Sequence, residues 1–199
     1  MENLKPLSEV LQPDTRNSLF VGLDTGEPRK IDEHHAAIAA VVLEPQVPED
    51  VRSYFATIQN VCLYAWFAYD LYAVVHFLCL TATEMALRKK LPYTGSGRDS
   101  RSLQNLIDEA VGKNLIREKA FSHVRMMREN LAHDLRLYRA MGRSSTSMPK
   151  SDYAAVLRRA IPSLRNSFAH PRGHSILMPG EALFQLRFTS EFINHLFAP

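Results

Sequence analysis

An all-α fold, a helical bundle carrying an irregular N-terminal arm, is what this sequence predicts, and three observations predict it. Apolar residues recur at helical spacing through most of the chain, and almost nothing alternates with period two. From Glu49 to Leu91 there is neither glycine nor proline, which leaves room for helix and little for turns. The prolines and glycines gather instead in short stretches between the apolar segments. With 199 residues, 46% hydrophobic and 23% charged, the chain can bury a core as one decorated domain and does not have the composition of a disordered protein.

Residues 1–30 read as an arm lying on the main body. "LQPDTRNS" and "LDTGEPRK" are turn-rich, and "SLFVGL" reads as one short strand. The remaining chain, 31–199, forms the helical domain. "IDEHHAAIAAVVL" reads as a helix with Asp32 as N-cap, stopped by the two prolines of "EPQVPED". The dominant element follows. Pro48, Glu49 and Asp50 make a good helix start, and Arg88, Lys89 and Lys90 suit a helix C-terminus before Pro92. This run is one very long helix or two with a bend near Tyr69 to Tyr72. "PYTGSGRDS" is a loop, and "SLQNLIDEAVGKNLI" a helix with Leu103, Leu106, Ile107 and Ala110 on one face. "REKAFSHVRMMRENLAHDLRLYRAM" is helical, and "GRSSTSMPKS" is a polar loop. "DYAAVLRRAIPSLRNSFAH" is helical with Pro162 as a kink or break. "PRGHSILMPG" is a loop, and "EALFQLRFTSEFINHLF" is the last helix.

Cys62 and Cys79 both lie in an apolar stretch, which argues against a secreted disulfide scaffold and for a reducing setting. The N-terminus lacks a basic region followed by an apolar run, so no signal peptide and a cytoplasmic location are expected. Val61–Leu80 has the length of a membrane span, but Asp70 lies at its centre and His76 follows. A carboxylate in mid-bilayer is costly, and a buried helix is the expectation.

Charge is unevenly spread. Residues 1–87 hold 5 Lys+Arg against 12 Asp+Glu, a net of −7, while residues 88–173 hold 18 against 7, a net of +11. A positive segment of this size points to a polyanionic partner over a merely solvated surface. The standard catalytic spacings are missing: there is no phosphate-cradling glycine loop, dinucleotide fingerprint, zinc-type cysteine spacing or H-E-x-x-H. His34 and His35 are adjacent and fall on different helix faces, and Pro171 and Gly173 separate His170 from His174. No cofactor and no metal are expected.

What remains is a pair of similar runs, "SLRNSFAHPRGHS" and "MRENLAHDL". In each an arginine precedes a histidine by five positions, Arg165 to His170 and Arg128 to His133, so the two side chains share a side of a helix. RNA carries its own nucleophile, the ribose 2′-hydroxyl. Its cleavage needs a group that exchanges protons, for which histidine titrates in the right range, and positive charge against the developing phosphorane, which a guanidinium supplies. An Arg, an amide and a His at a helix end are sufficient for this. As a bare spacing, the same residues also describe an ordinary polar helix end.

"LRNSFAHP" resembles the signature of the HEPN superfamily, all-helical bundles with an R-x(4–6)-H motif and a polar residue, often Asn, after the Arg. "TATEMALRKKL" resembles the end of the long first helix in bacterial members, "LQNLIDEAVGKNLI" the next helix and "PGEALFQLRFTSEFINHLF" the last, so the likeness spans residues 50–199. The resemblance implies a metal-independent endoribonuclease, a homodimer with a composite basic cleft, and a role as toxin or phage-defence effector with an antitoxin or other neutralising partner. Some members of the superfamily bind RNA, nucleotide or protein without cleaving. By position the motif falls on Arg165, Asn166 and His170. Residues 117–155 are longer than the family's connection and look like an insertion holding Arg128 and His133. Arg165 and His170 are favoured over Arg128 and His133, because Asn166 follows Arg165 whereas Glu129 follows Arg128, and a carboxylate there would repel phosphate. Glu84, four residues before Arg88, is either a surface ion pair or a group that orients Arg165 or His170. Tyr64, Trp66, Phe67, Tyr69 and Tyr72 are expected in the core or a dimer contact. Ser167 lacks a triad context.

Overall fold

The computed structural model describes residues 4–21, 26–96, 99–118, 121–141, 153–169 and 178–199. Among these, the chain forms seven α-helices and no strand: α1 (Ile31–Ala39), α2 (Glu49–Tyr64), α3 (Leu71–Lys90), α4 (Leu103–Gly112), α5 (Ser122–Ala140), α6 (Tyr153–Ala169) and α7 (Pro179–Phe197). The all-α class is as expected. α3 lies at the centre, packed against α2, α4, α6 and α7, while α4 also packs on α6 and α1 closes the far side against α2 and α7. Tyr72, Val75, Cys79, Ala82, Ala86 and Leu87 of α3 are fully buried, as are Leu186 and Ile193 of α7.

The long apolar run resolves into two helices, with the break over Ala65–Asp70. No proline or glycine causes it. The N-terminal arm takes over backbone groups that a continuous helix would pair internally. The Asp14 N–H and the Asn17 amide both donate to the Trp66 carbonyl, at 2.9 and 2.7 Å, and the Lys5 ammonium donates to the Phe67 carbonyl at 2.8 Å. Asp14 in turn accepts from the Tyr69 N–H at 3.2 Å, ahead of the first turn of α3. Buried backbone groups must be paired somewhere, and here the partners come from over 40 residues away in the chain.

The arm itself differs from the expected strand. Thr15–Leu19 is a 3-10 turn capped by Asp14, whose carboxylate accepts from the Arg16 N–H. Of the described part of "SLFVGL", 18–21, only Val21 makes an isolated antiparallel bridge, to Pro28, and Gly22 and Leu23 lie outside the described residues. In α1 the N-cap is Lys30, whose N–H donates to the Glu33 carboxylate at 3.2 Å, and Asp32 sits inside the first turn, where its charge still favours the helix. α1 also ends sooner than its apolar pattern, because the Gln59 amide of α2 takes the Ile38 and Val41 carbonyls at 3.1 and 2.8 Å.

α4 runs as expected, with Leu103, Leu106, Ile107 and Ala110 buried, and stops at Asn114, which adopts φ 55°. α6 continues through Pro162 without a break in helix. The missing Pro162 N–H and the crowding of the preceding turn are tolerated within one helix whose Leu157 and Ile161 are buried. Most of the residues read as the loops at 142–151 and 171–180 lie outside the described residues. α3 is the one described helix whose length and apolarity reach those of a membrane span, marginally, and in the fold it is the packed centre. Cys62 and Cys79 are buried free thiols, pushed up to about 12 by burial.

Asp14 is one of the residues that hold the arm to the α2–α3 break, with Lys5 and Asn17. Its carboxyl is lowered to about 2, first by the hydrogen bond from the Arg16 guanidinium and then by the Arg16 and Tyr69 N–H groups. A depressed folded-state value means stability that is present above the unfolded value near 4 and is lost as pH falls toward 2. Asp14→Ala is expected to lower stability by about 1–2 kcal/mol at pH 7. The gap between wild type and variant, read by thermal melting, should close as pH falls from 4 to 2.

Candidate functional site

The polar end of α3 meets the start of α4 through one cluster of charges. Arg88 donates to Glu84, one turn back, at 2.8 Å and to Asp99 at 2.8 Å. Arg101 grips the same Asp99 with two nitrogens, at 3.0 and 2.9 Å, and reaches Glu109 at 2.8 Å. Lys113 closes the chain on the other Glu109 oxygen at 2.7 Å. Backbone carbonyls complete the set: Leu91 accepts from Arg101 at 2.6 Å, and Arg101 accepts from Arg88 at 2.8 Å. The guanidinium of Arg101 holds the Asp99 carboxyl well below the usual range, and hydrogen bonds to Glu84 hold Arg88 above its own.

This cluster fixes Ser102 as the N-cap of α4. Its Oγ accepts from the Asn105 N–H at 3.2 Å, and the Asn105 carbonyl oxygen accepts from the Ser102 N–H at 3.0 Å. The pair forms a reciprocal cap, which sequence reading missed because Asn stands where Glu or Gln is usual. The N-terminus of α4 is therefore anchored beside Glu84.

α6 forms the opposite wall. Leu157, Ile161 and Phe168 turn inward, and Phe168 packs against His76 of α3 with ring centroids 5.5 Å apart. Pro162, Arg165 and Asn166 follow at i, i+3 and i+4 and share the neighbouring face. Between the two walls lies a groove of about 520 Å³. Glu84 of α3, Arg101 to Gln104 at the start of α4, and Pro162, Arg165 and Asn166 of α6 line it.

Three of the residues singled out in the sequence, Glu84, Arg165 and Asn166, are thus brought to one groove. Arg165 is half-buried and has no hydrogen-bond or ion-pair partner among the described residues, and Asn166 is exposed. Glu84 does make the ion pair with Arg88, which balances its charge. His170 lies outside the described residues, one position beyond the end of α6 at Ala169. The other pair stands apart from the groove. Arg128 lies on α5, half exposed and paired with Glu118 at 2.8 Å, and His133 is exposed on the same helix. The Ser167 hydroxyl donates to the Ser163 carbonyl of its own helix at 3.2 Å.

The aromatic residues of the α2–α3 break divide. Trp66, Tyr69 and Tyr72 are buried, whereas Tyr64 is exposed. His34 is buried with its Nε2 3.0 Å from the Cys62 carbonyl, and His35 points out. Among the described residues no group of His, Cys, Asp and Glu is arranged to hold a metal ion.

Among the described residues, the groove presents the unpaired guanidinium of Arg165, the Asn166 amide and the N-terminus of α4, together with the Glu84 carboxylate. Comparison with known proteins adds nothing to this geometry: no protein-family model matches the chain, and no curated protein or solved structure matches it significantly. If Arg165 is free for a ligand, its removal costs the fold little. Arg165→Ala is expected to change stability by less than about 0.5 kcal/mol in denaturant melts. Arg88→Ala, which leaves Glu84 and Asp99 each short of a partner, should cost about 1–3 kcal/mol. A loss of that size from Arg165→Ala would make Arg165 a structural residue.

Proposed function

We propose that this chain is a metal-independent endoribonuclease of HEPN type, working as a homodimer and serving as a toxin or phage-defence effector. One observation carries the proposal: the motif residues Arg165 and Asn166 line a groove in which Arg165 has no hydrogen-bond or ion-pair partner among the described residues. An unpaired guanidinium on a helix face is a ready ligand for a phosphate diester. The excess of positive charge in residues 88–173 suits the same polyanion.

In this reading the RNA supplies the nucleophile. The 2′-oxygen attacks the adjacent phosphorus, the bond from phosphorus to the 5′-oxygen breaks, and a 2′,3′-cyclic phosphate and a 5′-hydroxyl result. His170 exchanges the protons, taking one from the 2′-hydroxyl or giving one to the leaving oxygen. Arg165 balances the charge that builds on the phosphorane, and Asn166 positions the phosphate. Glu84 orients this pair from across the groove. Arg128 and His133, on α5, belong to the surface along which RNA approaches.

The test is cleavage of single-stranded RNA by the full chain in EDTA. Wild type should yield 2′,3′-cyclic phosphate ends. His170→Ala and Arg165→Ala should each slow cleavage by about a hundredfold or more, and His133→Ala should slow it far less. Full activity in both motif variants would overturn the assignment. Intact RNA after long incubation, with binding that weakens in salt, would instead identify a non-catalytic RNA-binding dimer.

A further inference from the structure

The groove between α3, α4 and α6 has room for more than a phosphate. At about 520 Å³ it is of the size that takes a small organic ligand, and its walls carry acceptors as well as donors. Of the side chains that line it, Arg101 is committed to Asp99, Glu109 and the Leu91 carbonyl. The Ser102 hydroxyl donates to the Asn105 side chain and accepts from the Asn105 N–H. Two acceptors are left without a donor among the described residues. Both hydrogen bonds from Arg88 to Glu84 fall on Oε1, and Oε2 takes none.

The second acceptor is Gln104, whose amide has a fixed orientation. Its Nε2 lies 3.1 and 3.2 Å from the two carboxylate oxygens of Asp108, one turn further along α4. A carboxylate only accepts, so the amide turns its N–H groups toward Asp108 and keeps Oε1 for another partner. Asp108 is itself held from α6, by the Arg158 guanidinium at 3.2 Å. Gln104 lines the groove, and across from it stand the Arg165 guanidinium and the Asn166 amide.

A ligand that suits both walls is anionic at one end and carries N–H donors at the other. A nucleotide is such a ligand. Among the four bases guanine has two adjacent donors, N1–H and N2–H, on its Watson–Crick edge. Adenine and cytosine set one amino group beside a ring nitrogen that only accepts, and uracil sets one N–H between two carbonyls. Against two acceptors, each of those three leaves lone pairs facing lone pairs. We propose that Gln104 and Glu84 read a guanine in single-stranded RNA whose phosphate is bound by Arg165.

The proposal rests on the reading of the groove as an RNA site and gives that site a base preference. In a duplex the Watson–Crick edge is taken by the opposite base, so guanine is read this way only on a single strand. Each carboxylate oxygen has two lone pairs, so Oε2 of Glu84 takes a base N–H and still faces Arg165 and Asn166, while Oε1 stays on Arg88.

The experiment is anisotropy binding of labelled 2′-O-methyl oligouridylates to the full chain; these strands offer no nucleophile and stay intact. One guanine placed in the strand should tighten wild-type binding by about tenfold. Inosine at the same position, which lacks the N2 amino group, should lose most of that gain. Gln104→Ala should bind the guanine-containing and all-uridine strands alike, and Arg165→Ala should weaken both. Equal binding of the two strands by wild type, with Arg165→Ala weakened, would overturn the guanine reading and leave the RNA groove standing. A guanine advantage that persists undiminished in Gln104→Ala would overturn the role of Gln104. Competition by guanosine monophosphate as effective as that by the unlabelled strand would assign the groove to a free nucleotide and overturn the RNA reading. Failure of wild type to bind either strand would overturn the groove's assignment and the guanine reading with it.

Discussion

A broad apolar sector on a helix needs several neighbours to cover it, and α3 carries such a sector. From Tyr72 to Leu87 its buried positions span nearly half the helix circumference, while Val74 on the other side stays exposed. α2, α4, α6 and α7 together pack against it. Burial of this much apolar surface is the main force that assembles the bundle. The constraint relaxes only in the last turns, where Glu84, Arg88, Lys89 and Lys90 reach solvent or partners. The groove forms at that end, because that is where the wall of the bundle changes from apolar to charged.

The positive segment serves the fold before it serves a ligand. Arg88, Arg101, Lys113, Arg128 and Arg158 each have a carboxylate partner. Those pairs hold the α3–α4 loop, the α4 cap and the α4–α6 contact in position. Arg165, like Lys90, Arg117, Arg125 and Arg159, has no carboxylate partner among the described residues, but it alone of these lines the groove of about 520 Å³. A cation so placed is what the proposed phosphate ligand would need.

How far the sequence reveals this depends on the range of the interaction. The all-helical class, the inward face of α4 and the α3 terminus with its three cations follow from periodicity and capping, which are local. The break at Ala65–Asp70 does not, since its cause is a set of hydrogen bonds from Lys5, Asp14 and Asn17. Reading "SLFVGL" as a strand and Asp32 as an N-cap fails for a related reason: local propensity is overruled by a 3-10 turn built on Asp14 and by the Lys30–Glu33 cap. At the site, Arg165, Asn166 and Glu84 are legible from motif and spacing. Arg101 and Ser102 become visible only when Asp99 ties the start of α4 to the end of α3.

The central claim, that Arg165 is held free for a phosphate, is tested most directly by the salt dependence of binding to uncleavable single-stranded RNA. Each phosphate contact on a single strand contributes about 0.7 to the slope of log K against log salt. Arg165→Ala should bind more weakly and with a slope shallower by about 0.7 than wild type. Parallel lines with equal affinity for the two proteins would contradict the account.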